Sequence, residues 1–557
     1  MDFKIVAVVV VGILAFGAYV YYHSKQHRKK VLAMVRTQWG KQSTREYEYY
    51  EFEHISKYAK KKETDDTFMI DDITWNDLDM DSIFMLLNNT QSSVGQDHLY
   101  YLLRKPEMNR ETLEERHKLV EYLRAHKEER EKFQYIFSKI GRSRLPIIDY
   151  IYSLKDQERE SNGKHLIGNI AIIASILTLL TMPPLGILAL VASMGYAIVT
   201  YFGRSGEIRP YVVSLNVIIK VLEAADEVEK SKVKEIADSI EKIKQAKKTL
   251  GNFRRNSIWI MTSGMNGGLE QIVMEYLRMI FHLDIIKFNS MVDKVQKLLP
   301  EIMEIMEQIG LLESAIAIGS FREMMKEHCI PELVESKKAI LEVENIYHPF
   351  ISDPVKNSIN TKQGILLTGS NASGKSTFLK TVAINAILAQ SIYTCLADSY
   401  KGNFFNVLSS MALQDDLMSK ESYYIVEIKS LKRIVDYINQ DVCVLCFVDE
   451  VLRGTNTVER IAASSQILRS LVKDNVLGFA ATHDIELTHL LESDYNNYHF
   501  QEEVVDNDIL FNYTLYEGRA TTRNAIKLLS IIGYDDKIIA SAEKSASTFV
   551  TQGIWEL

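Results

Sequence analysis

Three short segments place phosphate-handling residue types at the ends of apolar runs. The first, Gly364-Ile365-Leu366-Leu367-Thr368, reads as a buried strand. It runs straight into Gly369-Ser370-Asn371-Ala372-Ser373-Gly374-Lys375-Ser376-Thr377, a G-x-x-x-x-G-K-S loop followed by a helical pattern from Phe378 to Leu388. Glycines at this spacing let successive backbone N–H groups curl round a phosphate, and a helix N-terminus adds a favourable field. Lys375 would reach the β- and γ-phosphates, and the Ser376 hydroxyl would bind Mg²⁺. The second run, Val442 to Val448, ends in Asp449-Glu450. Carboxylates at the end of a buried strand are costly unless they have a task. Asp449 would hold the Mg²⁺ shell, and Glu450 would orient and deprotonate an attacking water. The third run, Val476 to Ala481, ends in Thr482-His483, and His483 would contact the γ-phosphate or that water. Together these predict a parallel sheet with an ATP and Mg²⁺ site at its C-terminal edge.

The elements that must carry this site belong to a chain of 557 residues, long enough for three or four structural units. Its formal net charge of −8 gives no global sign of nucleic-acid binding. The four cysteines, Cys329, Cys395, Cys443 and Cys446, are few for this length and point to a reducing compartment. Cys443 and Cys446 form a C-x-x-C inside an apolar run. Strand residues three apart face opposite ways, so core packing is favoured over a metal or redox pair.

Two apolar segments change the class. Ile5 to Tyr22 is uninterrupted and is followed by a basic stretch from His23 to Lys30. That order fits a membrane span with residues from Lys25 onward in the cytoplasm better than it fits a cleaved signal peptide. Leu166 to Phe202 carries no charge, with Pro183-Pro184 at its midpoint, and reads as a membrane hairpin in preference to a buried soluble one. Three spans would then leave the polar chemistry in the cytoplasm. Residues 23–62 mix Lys and Arg with Tyr and Glu, as a stretch lying on anionic lipid would. Between Trp75 and Leu123 the pattern is helical with a break at Lys105-Pro106. Stripes from Val233 to Leu250 and from Val292 to Ile309 predict long amphipathic helices.

The C-terminal motifs resemble those of the MutS family of ABC-type ATPases. The resemblance is carried by Thr368 to Thr377, by Val448-Asp449-Glu450-Val451-Leu452-Arg453-Gly454-Thr455-Asn456-Thr457, and by Ala480-Ala481-Thr482-His483 with Glu486-Leu487-Thr488. It implies that His348-Pro349-Phe350-Ile351 stacks on adenine through Phe350 and Ile351. It also implies that Leu417 to Glu427 reaches a partner's nucleotide across a homodimer, with Ser422 as the trans serine, although Lys420-Glu421 replace the family's usual Gly-Arg. Trp75–Leu123 and Ile309–Ser314 are similar to the family's helical core and lever. The expected fold is therefore an α/β P-loop ATPase domain of ABC type, with a long all-α core and lever region and transmembrane helices. The segments expected are an anchor at 1–22, a basic linker at 23–72, core-like helices at 73–165, the hairpin at 166–202, levers at 203–345 and the ATPase domain at 346–557.

Mismatch-reading members carry an N-terminal domain with a Phe-x-Glu wedge, for which the region ahead of the core leaves no room. Phe321-Arg322-Glu323 and Phe500-Gln501-Glu502 fit the pattern at about the frequency of chance and in the wrong places. One expectation is ATP-driven dimer closure on DNA. Another is a membrane-side machine that does not bind DNA. A transporter is disfavoured by the lack of Leu-Ser-Gly-Gly-Gln between Thr377 and Asp449. A scaffold with a dead site conflicts with Lys375, Ser376, Asp449, Glu450 and His483 all being present.

Overall fold

A computed structural model describes the chain except residues 1–2, 65, 155–159, 252–275, 371–372, 412–422, 506–507, 521–525, 527–528, 530–532, 553 and 556–557. It divides into two compact units. The first comprises residues 1–63, 87–101 and 118–323; the second comprises 64–86, 102–117 and 324–557.

The first unit is helical. Its opening helix runs unbroken from Phe3–Gln38, so much of the expected linker continues the apolar segment as helix. The reason is local: Lys, Gln, Arg, Ala, Met and Leu after Tyr22 are good helix formers. The first residue that stops them is Gly40, in a left-handed conformation at φ 68°. Val31 and Val35 are buried, and Arg36 grips Glu131 of helix Lys127–Ser138 through two hydrogen bonds of 2.8 and 2.6 Å. Most side chains of the Ile5 to Tyr22 run lie outside the described residues.

Among the described residues, two helices are long and apolar enough to cross a membrane, Gly163–Thr181 and Pro183–Glu229. The proline pair starts the second helix, where a missing N–H costs nothing. That helix does not end at Phe202 but continues through Pro210 to Glu229. The Val233 to Leu250 stripe becomes a single 3₁₀ turn and helix Ala237–Leu250, and the later stripe occupies helices Leu283–Lys297 and Leu299–Met324. In the last of these, Ile302, Ile305 and Ile309 are fully buried.

The second unit holds two sheets. Strands β1 (Glu332–Val334), β2 (Leu341–Ile346), β3 (Asn357–Thr361) and β5 (Ser399–Asn403) form one, in the order β1-β5-β2-β3. The other contains β4 (Gly364–Thr368), β6 (Asn406–Ser410), β7 (Val444–Asp449), β8 (Val476–Ala481), β9 (Tyr495–Val505) and β10 (Asp508–Glu517), in the order β10-β9-β4-β8-β7-β6. All its neighbours are parallel except β10 with β9. Its central strands are continuous apolar runs because helices cover both faces of such sheets; Ile365, Leu366 and Leu367 are fully buried. Cys446 is buried in β7, whereas Cys443 precedes the strand and lies against the Ser336 carbonyl.

Helix Asp72–Asp77, distant in sequence, closes the β6 edge. Thr74 Oγ1 accepts the Ser409 N–H at 3.0 Å, and the Asp77 carboxylate accepts from Ser409 Oγ at 2.7 Å and Met411 N–H at 2.9 Å. An edge so capped offers fewer free backbone groups for stray strand pairing.

Candidate active site

Strand register brings the three sequence segments together. Leu367 of β4 pairs with Ala481 of β8, and Ala481 pairs with Asp449 of β7. The loop after β4, the Asp449-Glu450 pair and Thr482-His483 therefore emerge side by side at the C-terminal edge of the sheet.

The loop after β4 turns tightly. Gly369 has φ 144°, and a Cβ there would stand 2.7 Å from Phe500 O; Gly374 has φ 106°. Both positions suit glycine alone. Helix Lys375–Ser391 starts at the loop's end, aiming its unpaired N–H groups into it. The Lys375 ammonium donates to Gly369 O at 2.8 Å and Ser370 O at 2.9 Å, and lies 3.4 Å from His483 Nε2. Burial lowers the Lys375 pKa from its ordinary value, with Asp449 and Glu450 opposing. Asn371 and Ala372 lie outside the described residues.

Ser376 Oγ donates to Asp449 Oδ2 at 2.5 Å. Asp449 Oδ1 is buried and has no hydrogen-bond partner among the described residues. Burial raises this carboxyl above the usual aspartate range, partly offset by the Ser376 bond. A hydroxyl and a carboxylate meeting at one point, with a carboxylate oxygen unused, suit a hard cation that takes oxygen ligands and keeps several waters, as Mg²⁺ does.

Glu450 follows in a left-handed conformation at φ 57°, its N–H bonded to Ala481 O at 2.9 Å. Its carboxylate lies 3.1 Å from His483 Nε2 and 2.5 Å from Arg453 Nε. Burial, then the Lys375 charge, lowers the His483 pKa from its ordinary value and favours the neutral ring, with Glu450 opposing. A neutral imidazole can donate to Glu450 or accept from Lys375 through Nε2, one at a time. The unusual backbone is braced from behind: Glu427, on helix Tyr423–Tyr437, accepts the Leu452 N–H, and Leu452 is itself at φ 58°.

A cavity of about 500 Å³ adjoins these groups. Ser370, Gly374 to Phe378 and Glu450 line it together with Tyr347, His348, Ile351, Val355, Phe500 and Tyr513. Of the two expected base contacts, Ile351 lines the cavity; Phe350 does not, its ring standing 5.8 Å from the His348 ring. Ser422 lies outside the described residues.

Several site residues were not singled out from the sequence. Arg453 and Glu427 sit within segments quoted there, without assigned roles. Tyr513 comes from β10 with no local signal; the Asn357 side chain ties it in by donating to Tyr513 O at 3.0 Å and accepting the Leu515 N–H at 2.8 Å. Glu502 accepts from Ser370 Oγ at 2.9 Å. Ser373, by contrast, was among the residues expected to cradle phosphate; it is buried in the loop, its hydroxyl donating to Ser370 O at 2.8 Å.

Compared with known protein families, residues 365–550 match the one described as MutS domain V. The matched span begins in β4 and contains the loop, Asp449-Glu450 and His483.

Proposed function

We propose, from the premise that this chain belongs to the MutS family through its domain V, that it is a membrane-anchored, Mg²⁺-dependent ATP hydrolase whose turnover drives dimer closure and DNA binding. The observation that carries the ATPase reading is the convergence of Lys375, Ser376, Asp449, Glu450 and His483 at one sheet edge beside a nucleotide-sized cavity.

In this reading the triphosphate lies along Gly369 to Thr377, and Lys375 exchanges its two loop carbonyls for phosphate oxygens. Ser376 and Asp449 hold Mg²⁺, which supplies charge stabilisation to the phosphate oxygens. Glu450, held by Arg453 and His483, takes the proton of the attacking water. His483, neutral and within reach of both Glu450 and Lys375, senses the γ-phosphate. The base rests against Ile351 and the aromatic face of Tyr513. Two chains associate through their ATPase domains, and hydrolysis loosens them.

The membrane part rests on the hairpin's outward apolar surface. Ile167, Ile170, Leu180, Leu188 and Val199 are 68, 66, 78, 68 and 74% exposed. A soluble core helix would bury such residues. Mismatch reading is not part of the proposal. The same hairpin, together with the whole chain's net charge of −8, favours a second reading: a membrane-side ATP-driven machine that binds no DNA.

The deciding experiment is the ATP hydrolysis rate of the detergent-solubilised protein with and without duplex, mismatched and branched DNA, using Glu450→Gln as the blank. Salt-sensitive stimulation by DNA supports the first reading. Robust hydrolysis indifferent to every DNA overturns it in favour of the second.

A further inference from the structure

Cys329 and Cys395 stand directly opposite one another in an antiparallel bridge. The Cys329 N–H donates to Cys395 O at 2.8 Å and the Cys395 N–H to Cys329 O at 3.0 Å. A pair that exchanges both bonds holds its Cα atoms about 5.5 Å apart, inside the roughly 4.4–6.8 Å that a disulfide spans. Both thiols are free, one partly exposed at Cys329 and one buried at Cys395, where Sγ donates to Asn385 O at 3.6 Å.

The two thiols differ in chemistry. The Cys395 contact lowers the Cys329 pKa from the ordinary thiol value, against opposing contributions from burial and Asp398, whereas burial drives Cys395 well up. Cys329 is therefore the first to form thiolate, the nucleophilic species. Cys443 is comparably exposed, but burial raises its thiol and, among the described residues, no second sulfur faces it across a bridge.

We propose that Cys329 and Cys395 are a reversible redox pair, closed to a disulfide by hydrogen peroxide. The Cys329 thiolate attacks the peroxide O–O bond, keeps one oxygen as a sulfenic acid, and releases the other as water after protonation. The Cys395 sulfur then displaces the sulfenic hydroxyl, so that S–S forms, S–O breaks and a second water leaves. Two thiols lose two electrons in total, and the peroxide gains them.

The bond would act on the wall of the cavity. Opposed Cβ atoms in such a pair lie about 5 Å apart, against about 3.8 Å in a disulfide, so closure draws residues 327–330 toward residues 395–396. Both segments hold the cavity loop: Leu396 O accepts the Tyr347 N–H at 3.0 Å, and Glu327 O accepts from the Tyr347 hydroxyl at 2.5 Å. Lys356, across the loop, pairs with the Glu327 carboxylate. Any effect on nucleotide affinity rests on the ATP reading of that cavity; the bond itself does not. A disulfide that must pull its segments together is also readily reduced, as a reversible switch requires.

The test is hydrogen peroxide treatment of the full chain in detergent, followed by alkylation, proteolysis and mass spectrometry. The expected product is one peptide pair joined through Cys329 and Cys395, separated again by dithiothreitol, with Cys443 and Cys446 alkylated. In Cys395→Ser, Cys329 should stop at a sulfenic acid that dimedone traps; in Cys329→Ser, Cys395 should stay a thiol. Over-oxidation of Cys329 while Cys395 remains reduced in the unsubstituted protein would overturn the proposal. So would two unreacted thiols at a peroxide level that oxidises glutathione in the same tube. Either failure leaves the ATPase reading untouched, because the readout involves no nucleotide.

Discussion

Lys375 is the residue on which the nucleotide reading turns. Its ammonium is buried among loop carbonyls, with Asp449 and Glu450 supplying the nearby negative charge. A phosphate would replace those weaker acceptors with charged oxygens, and charge-assisted bonds are roughly twice as strong as neutral ones. Lys375→Ala should therefore weaken ATP binding at least tenfold, about 1.4 kcal/mol, as measured by equilibrium binding of a fluorescent ATP analogue. Unchanged affinity would count against the phosphate cradle. Glu450 and its neighbours show how far single residues could be read in advance. The strand-end acids were legible because a carboxylate after a buried apolar run is conspicuous. Arg453 and Glu427 were not, since their roles depend on a left-handed turn at 450–452 that no residue type announces.

At the scale of elements, helix Leu299–Met324 is keyed to the start of helix Ser93–Arg104 by one carboxyl group. Glu313 is buried and accepts hydrogen bonds from Gln91 N–H, from Ser92 N–H at 2.9 Å and from Ser92 Oγ at 2.5 Å. A Cβ on Gly95 would lie 2.2 Å from its oxygen, so only glycine admits it. Burial outweighs those bonds and pushes the Glu313 pKa up to about 7. Because that lies above the unfolded value of about 4.3, the stabilisation is full in acid and is lost as pH rises through about 7. Corrected for intrinsic exchange, protection of the Gln91 and Ser92 amides should fall between about pH 4.3 and 7. Glu313→Gln should abolish that slope and Glu313→Ala should cost about 1–3 kcal/mol of local stability in acid, and less as pH rises. A wild-type slope matching that of Glu313→Gln would refute the assignment. The hairpin supplies a second test at this scale. With its apolar side chains facing outward, the protein should stay with the membrane pellet after alkaline carbonate extraction. Release into the supernatant would make the hairpin a soluble one. Of the elements, the three site strands and the long apolar or striped helices were legible in the sequence, whereas the four-stranded sheet and strands β6, β9 and β10 were not read from it. Helix ends were less legible: helix Pro183–Glu229 carries on through Gly203, Gly206 and Pro210, where composition suggested a boundary.

For the whole molecule, the proposed association of two ATPase domains and the cavity at the sheet edge make one prediction together. Glu450→Gln with Mg-ATP should sediment as a dimer, and Lys375→Ala should remain a monomer under the same conditions. Dimers of equal abundance in both variants would show association to be independent of nucleotide. What the sequence determined by itself is local. A glycine-rich turn, the acids and the histidine at strand ends, and the long apolar helices are each written within a few consecutive residues, because backbone freedom and side-chain periodicity act over that range. Tertiary structure decided what meets across long separations. It set Tyr513 beside a loop almost 140 residues earlier and Asp77 against the β6 edge, and it brought Glu313 to Ser92 and Cys329 opposite Cys395. None of these pairs leaves a local pattern, since each is fixed only when sheet register and helix packing bury the surfaces that hold it.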